Sequence, residues 1–379
     1  MSIRLPRNAQ LWLPGLLKHQ IDRLSRRTRP EGPIDILFCL ADHYEPDFGN
    51  PGLDVERERV KAWVQGYPRM ASRFADSDGR PPRHTFFYPA EKYTPEHLDA
   101  LAGLCRDGYG EVEVHLHHDN DTSSALHERL AEFRDTLFHR HGLLRKNKAG
   151  EITFGFIHGN WALDNSREDG RWCGVNDELT VLRKLGCYAD FTLPAAPDTS
   201  QTRTVNSIYY AVDDPARPRS HEYGVAAAVG VAPPPDGLLM IQGPLTFDWQ
   251  RRIGGVLPGM ENGAVDASPA HHLLLDRFRR WVDVGVSVEG RPDWVFIKVH
   301  THGAKEDNAE VLLGEGAERF HADINRHFND GTHYRLHYVT AWEMAKVVRA
   351  AELGCSGSPG EYFLQDEGQS PTDHAPVVA

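Results

Sequence analysis

The chain has 379 residues, 40% of them hydrophobic and 25% charged, with a formal net charge of −12. That composition suits a globular protein with a sizeable core, and the acidic balance argues against a general nucleic-acid binder. Five scattered cysteines with no C-x-x-C pair argue against a disulfide framework or a thiolate zinc knuckle and fit a reducing compartment, while 21 histidines favour metal or proton chemistry.

The N-terminal stretch "MSIRLPRNAQLWLPGLLKHQIDRLSRRTRP" holds a short apolar patch from Leu11 to Leu17, interrupted by Pro14. Basic residues follow it rather than a small-residue cleavage site, so it does not read as a signal peptide. Leu13, Leu16, Leu17, Ile21 and Leu24 share one helical face, with Lys18, Arg23, Arg26 and Arg27 elsewhere. Two readings stand: a helix packed across the domain, or an interfacial helix over residues 8–27 that touches anionic lipid. No run approaches the roughly 18–20 apolar residues of a membrane span. The expected location is the cytoplasm, including the inner face of the membrane.

Residues 33–46, "PIDILFCLADHYEP", read as a buried strand ending in polar residues, and 55–74 as a helix. A second strand follows over 83–93, ending at Pro89, then a helix over 95–108 with Pro at its start and Gly at its end. "GYGEVEVHLHHDNDT" (109–123) reads as a third strand, 124–143 as a helix, and "ITFGFIHGNWALDNS" (152–166) as a strand entering a polar loop. A helix capped by Asn176 spans 176–187, and a strand closed by prolines spans 188–197. Strands recur at 237–245 and 293–303, with helices over 269–286 and 317–330 and a last strand and helix over 334–353. Alternating strands and helices imply a parallel sheet, and about seven such units predict a single (β/α) barrel, incomplete or distorted. The expected organisation is a basic amphipathic arm (1–30), a barrel domain (31–353) and a flexible tail (354–379).

Chemistry in a barrel sits at the C-terminal ends of strands. The polar clusters fall there repeatedly: Asp42-His43, the 115–121 group, His158-Asn160-Trp161-Asp164, and His300-Thr301-His302. On a strand, residues i and i+2 share a face, so His115 and His117 point together and His118 points away. Asp119 can fold back near His115 where the chain turns. Imidazole plus carboxylate suits a divalent ion such as zinc. The competing reading is a polar strand end with histidines bonded to backbone. Of Asp42 and His43, one can ligate and the other act as base. His300 or His302 can donate a proton to a leaving group, and Lys298, on the His300 face, can stabilise negative charge. In "HGNWALDNS", Trp161 can stack on a sugar ring while His158, Asn160 and Asp164 bind its hydroxyls; alternatively Trp161 caps the core.

These motifs resemble the polysaccharide deacetylase superfamily of metal-dependent carbohydrate esterases. "LADHY" stands where that family carries T-F-D-D, and the run from Gly110 to His115, with Asp119 four residues on, stands in place of its paired-histidine motif. "VFIKVHTHG" is similar to the strand bearing its late catalytic histidine, and "YVTAWEMAKVV" to its last strand and helix. The resemblance implies Asp42 as base, His43, His115 and Asp119 as zinc ligands, and His300 or His302 as acid; strand facing adds His117 as a further ligand or a neighbour to them. The third motif's Arg and Pro have no counterpart in "HGNWALDNS". The implied activity is deacetylation of an amino sugar or O-acetylated glycan in surface-polysaccharide biosynthesis. Rival expectations are a two-carboxylate glycosidase drawing on Glu45, Glu91 and Glu113, a multi-metal phosphoesterase, and a glycan-binding module without turnover.

Overall fold

The computed structural model describes residues 5–25 and 32–364. Helix α1 (Ala9–Ser25) precedes β1 (Ile34–His43), α2 (Leu53–Ala71), β2 (His84–Pro89), α3 (Pro95–Arg106), β3 (Gly110–Leu116), α4 (Ser123–His141), β4 (Arg145–Lys146) and β5 (Ile152–His158). Then come α5 (Glu178–Lys184), β6 (Cys187–Asp190), β7 (Ile208–Val212), β8 (Val225–Ala226), β9 (Gly237–Ile241), β10 (Thr246–Ile253), β11 (Leu257–Glu261) and β12 (Ala264–Val265). The chain continues through α6 (Leu275–Val284), β13 (Trp294–Thr301), α7 (Glu306–Leu313), α8 (Glu315–Phe328), β14 (Tyr334–Tyr338), α9 (Ala341–Glu352) and α10 (Gly360–Phe363).

Twelve strands form one sheet in the order β12-β13-β1-β2-β3-β5-β6-β9-β7-β8, with β14 on β1 and β4 on β5. Strands β4, β7 and β8 join it antiparallel, and the other nine run parallel. Among the described residues no ladder joins β12 to β8, so the sheet is open. It is also curled. Lys298 on β13 lies five strands from β6, yet its Nζ donates to the carbonyls of Phe191 and Leu193, both at 2.7 Å.

Both faces of the sheet are buried, which is why β1 reads "IDILFCLADH" with little alternation. Ile36, Phe38 and Leu40 join an outer core with Val112, Val114, Leu116, Phe154 and Phe156 and the helices α2 to α6 and α8. Leu37, Cys39 and Ala41 join an inner core with Phe87, Ile157, Phe191 and Trp294. Helix α9 fills that inner side with Met344, Ala345, Val347, Val348 and Ala351. A capping box fixes where it starts: Thr340 Oγ1 accepts from Glu343 N, and the Glu343 carboxylate accepts from Thr340 N.

Several expectations are adjusted. Asp177, not Asn176, precedes α5, and no side chain caps that helix. Regular pairing in β6 stops at Asp190, short of the expected 188–197, and the proline-rich run beyond it lines a pocket. The hairpin β10–β11 and the β7–β8 pair lack a strong alternation and were not expected as strands. Helix α1 is not a separate arm: Trp12 and Leu16 pack on Ala196, Val205 and Leu245. Leu17, Ile21 and Leu24 stay exposed, and Arg26 and Arg27 lie outside the described residues. The chain stays packed beyond residue 353, with Cys355, Tyr362 and Phe363 buried in the inner core, while 365–379 lie outside the described residues. Among the described residues no helix is long and apolar enough to cross a membrane.

Candidate metal centre

Strand alternation sorts the polar residues at the C-terminal edge into two groups. His43 continues the inward series of Leu37, Cys39 and Ala41; Asp42 continues the outward series of Ile36, Phe38 and Leu40. On β3, His115 and then His117 alternate with the outward Val114 and Leu116, so His118 falls on the other side. On β5 the outward series Phe154, Phe156 leads to His158. The inner group is His43, Glu45, His115, His117 and His302. It contains two overlapping sets of donor atoms, His43–Glu45–His302 and Glu45–His115–His117, each close enough to share one ion.

Glu45 is the hinge of this group. Its Oε1 lies 3.1 Å from His115 Nε2 and 3.3 Å from His117 Nε2. His115 Nδ1 lies 2.8 Å from the Ile157 carbonyl, which can only accept, so it must donate there. In a neutral ring the Nε2 lone pair then faces a carboxylate, an arrangement that calls for a cation or proton between them. Backbone hydrogen bonding of the far nitrogen is also how metal-bound imidazoles are held in orientation. The His43 ring lies 4.8 Å from those of both His115 and His302. Burial, together with neighbouring His302 and His115, holds His43 well below its ordinary pKa, so it is a neutral donor. Burial opposes ionisation of Glu45, but the close approach of His115 and His117 prevails and holds it well below the usual carboxylate range. Burial also opposes charge on His117, yet hydrogen bonds to Glu45 and Glu91 push it up to about 10. The neutral His43 imidazole and the ionised Glu45 carboxylate are donors that suit a borderline divalent ion, whereas His117 holds a proton that such an ion would have to displace.

Beside the group lies a pocket of about 390 Å³, lined among others by Trp161, His300, Pro194, Pro197, Asn262 and Asn8. The Trp161 ring is 6.2 Å from that of His43 and 6.4 Å from that of His302. Two buried nitrogens there, Trp161 Nε1 and His300 Nδ1, have no hydrogen-bond partner among the described residues. A buried polar atom left unpaired costs about 1–3 kcal/mol, which a bound ligand relieves. Gly159 keeps the 159–161 turn close to the site, since a Cβ there would lie 2.3 Å from His117 Cδ2.

The structure brings together His43, His115, His117 and His302 and sets His300 and Trp161 beside them. It separates the others. Asp42 faces outward: Oδ1 accepts from Gly303 N at 2.6 Å, and Oδ2 accepts from His84 Nε2 at 2.9 Å. It anchors the His302–Gly303 turn and is not placed as a base. Asp119 turns away after the strand ends, accepting from Trp172 N and Arg171 Nε, both at 2.8 Å. It belongs to neither donor set. Lys298 is fully buried, and burial pulls it down to about 8; its bonds to two carbonyls make it a strut rather than a substrate contact. Asp164 is buried and accepts from Ser220 N, while Asn160 stays half-buried in a left-handed turn.

His158 is fully buried and faces His118 rather than the pocket. With Cys173 and Glu178 these two histidines form another set of donor atoms within reach of one ion. His118, which strand alternation turns away from His115 and His117, is thus central to the outer group. Sequence reading missed Glu45 as a donor, although its odd-numbered position two residues past His43 carried the signal. It also missed Cys173 and Glu178, which are distant in sequence. Compared with known proteins, the chain matches no family model and no curated protein.

Proposed function

We propose that the chain is a metal-dependent hydrolase of the polysaccharide deacetylase type, removing acetyl groups from an amino sugar or an O-acetylated glycan. The observation that carries this reading is Glu45, shared by two donor sets beside a pocket with two unpartnered buried nitrogens. The finer readings go with it: the curled open sheet is an incomplete (β/α) barrel, the ion is zinc, and the protein works in the cytoplasm. When bound, such an ion polarises a carbonyl and lowers the pKa of its water toward about 7.

His43, His115, His117 and His302 would hold the ion with Glu45. Trp161 presents an aromatic wall for a sugar ring, and Asn262 and Asn8, whose amide nitrogens donate to the Ala196 and Pro197 carbonyls, brace the proline-rich side of the pocket. His300, on the pocket wall, would take up a proton and return it to the leaving nitrogen or oxygen. Asp42 acts at a distance by fixing Gly303, where a Cβ would lie 2.3 Å from its own Oδ2.

The test is acetate release from N- and O-acetylated oligosaccharides by protein purified without a polyhistidine tag. Activity should vanish on chelation, return with Zn2+ and be lost in Glu45→Gln. Deacetylation that survives exhaustive chelation, or in Glu45→Gln, overturns the reading. Glycosidic cleavage without metal would favour the carboxylate-pair alternative instead.

A further inference from the structure

We propose that His118, His158, Cys173 and Glu178 form a second, closed divalent-metal site of the zinc class, which staples the 159–177 segment to the sheet. The four residues come from four separate segments: the turn after β3, the end of β5, the long loop, and the first turn of α5. All four are buried, three of them completely, and their donor atoms all lie within 4.8 Å of one another.

The hydrogen bonds behind the donors decide what the site holds. His118 Nδ1 lies 3.1 Å from Asp121 Oδ2, to which it donates, and Arg129 Nη1 secures that carboxylate at 3.2 Å. His158 Nδ1 donates to the Gly159 carbonyl at 2.5 Å. Each neutral ring therefore turns a lone pair at Nε2, and the two Nε2 atoms sit 2.8 Å apart. Glu178 Oε1 faces the same point, 3.2 Å from one and 3.5 Å from the other. Its second oxygen is already taken, accepting from Asp164 N at 2.6 Å. Two lone pairs and a carboxylate oxygen converging in a buried space repel one another unless a positive centre lies among them.

Cys173 completes the set. Backbone N–H groups of Asn165 and Val175 point at its sulfur from 3.3 and 3.4 Å, donors that suit a thiolate. One thiolate, one carboxylate and two neutral imidazoles carry two negative charges, and a divalent ion leaves the buried site neutral. Two nitrogens, one sulfur and one oxygen in four-fold coordination match zinc, and four protein donors with no open position make a structural site. Asp121 behind His118 is the carboxylate support that such imidazoles characteristically have.

The site also has work to do in the fold. Between β5 and α5 the chain has only two three-residue 3-10 turns, and Trp161 and Trp172 both carry left-handed φ angles, which strain bulky residues. His158 and Cys173 bracket the part of this segment that carries Trp161 to the pocket.

Cobalt distinguishes this site from the inner one, because the inner donor sets contain no sulfur. Full-length protein loaded with Co2+ should show a thiolate-to-cobalt charge-transfer band in the near ultraviolet. The band should persist in His43→Ala/His117→Ala and disappear in Cys173→Ala, with one fewer metal per chain. Should Cys173→Ala fail to fold, single Cys39→Ala, Cys105→Ala, Cys187→Ala and Cys355→Ala variants should each keep the band. A wild-type protein that binds cobalt without a thiolate band overturns the proposal and leaves a proton between the two imidazoles. Loss of the band in any of those four variants, or its survival in Cys173→Ala, overturns it as well. Failure of deacetylase activity with the band intact would count against the proposed function alone.

Discussion

Strand β1 has carboxylates and imidazoles at both ends, and the two ends are completed in different ways. At its start, Asp35 accepts from Arg335 Nε and Nη2 at 2.7 and 2.6 Å and from His337 Nε2 at 2.8 Å. The other His337 nitrogen donates to Asp78 at 2.7 Å. Two cations meet two carboxylates, and the protein closes the account itself. Past its far end, Glu45 meets only imidazoles: among the described residues no Lys or Arg is hydrogen-bonded to it. The same side-chain types thus build a finished ion-pair network at one end and a cluster of donor atoms that could hold a cation at the other. What separates them is that Arg335 brings a permanent charge to the first network, whereas the second holds only imidazoles, whose protons a metal ion can displace.

The largest expected effect tests the finished end. Asp35→Ala strands Arg335 and a buried His337, and should cost about 3–5 kcal/mol of stability by denaturant unfolding. Its metal content should match the wild type; metal loss there would break the contrast. At the other end Glu45→Gln should lower metal affinity and turnover by about 100-fold or more, read by metal analysis and acetate release. Its unfolding midpoint, measured without metal, should move less than that of Asp35→Ala. Trp161→Ala should raise KM by about tenfold, ~1.4 kcal/mol, from lost stacking, with metal content unchanged.

The smallest effect is a pH dependence at the finished end. Burial opposes charge on His337, but hydrogen bonds to Asp35 and Asp78 push it up to about 9. A raised folded-state pKa means its contribution is fully present below the unfolded value near 6.5 and is lost as pH rises through about 9. Tm should therefore fall between pH 7 and 10, and His337→Gln should flatten that slope. A slope unchanged in His337→Gln would show that the network does not depend on the imidazolium.

The strand and helix order was largely legible because long apolar runs bounded by Pro and Gly mark buried strands whatever the final curvature. Leu37 and Phe38, adjacent and equally buried, show why the two faces of β1 were hard to tell apart from composition. The inward pairing of His115 with His117 followed from strand alternation. The same rule, applied to Asp42 and His43, puts them on opposite faces, so treating them as one functional unit misplaced Asp42. Asp119 was a matter of where the strand stops: Leu116 ends it, Asn120 takes a left-handed φ, and the carboxylate meets Arg171. No local pattern announces Cys173 or Glu178, because loop closure alone brings them to His118. The β10–β11 hairpin was invisible for a related reason, since a bulge between Asp248 and Arg252 disrupts its alternation.

The Lys298 strut has a mechanical consequence. Its ammonium ties β13, two residues before His300, to the carbonyls of Phe191 and Leu193, from which the Pro194–Pro197 wall departs. Two parts of the pocket lining, His300 and the Pro194–Pro197 run, are therefore guyed to one another through the interior. Spreading them would break two charge-assisted bonds and expose a buried cation, so the cleft behaves as a rigid frame. Any movement that widens the pocket then falls to the loops at its rim rather than to the strands behind it.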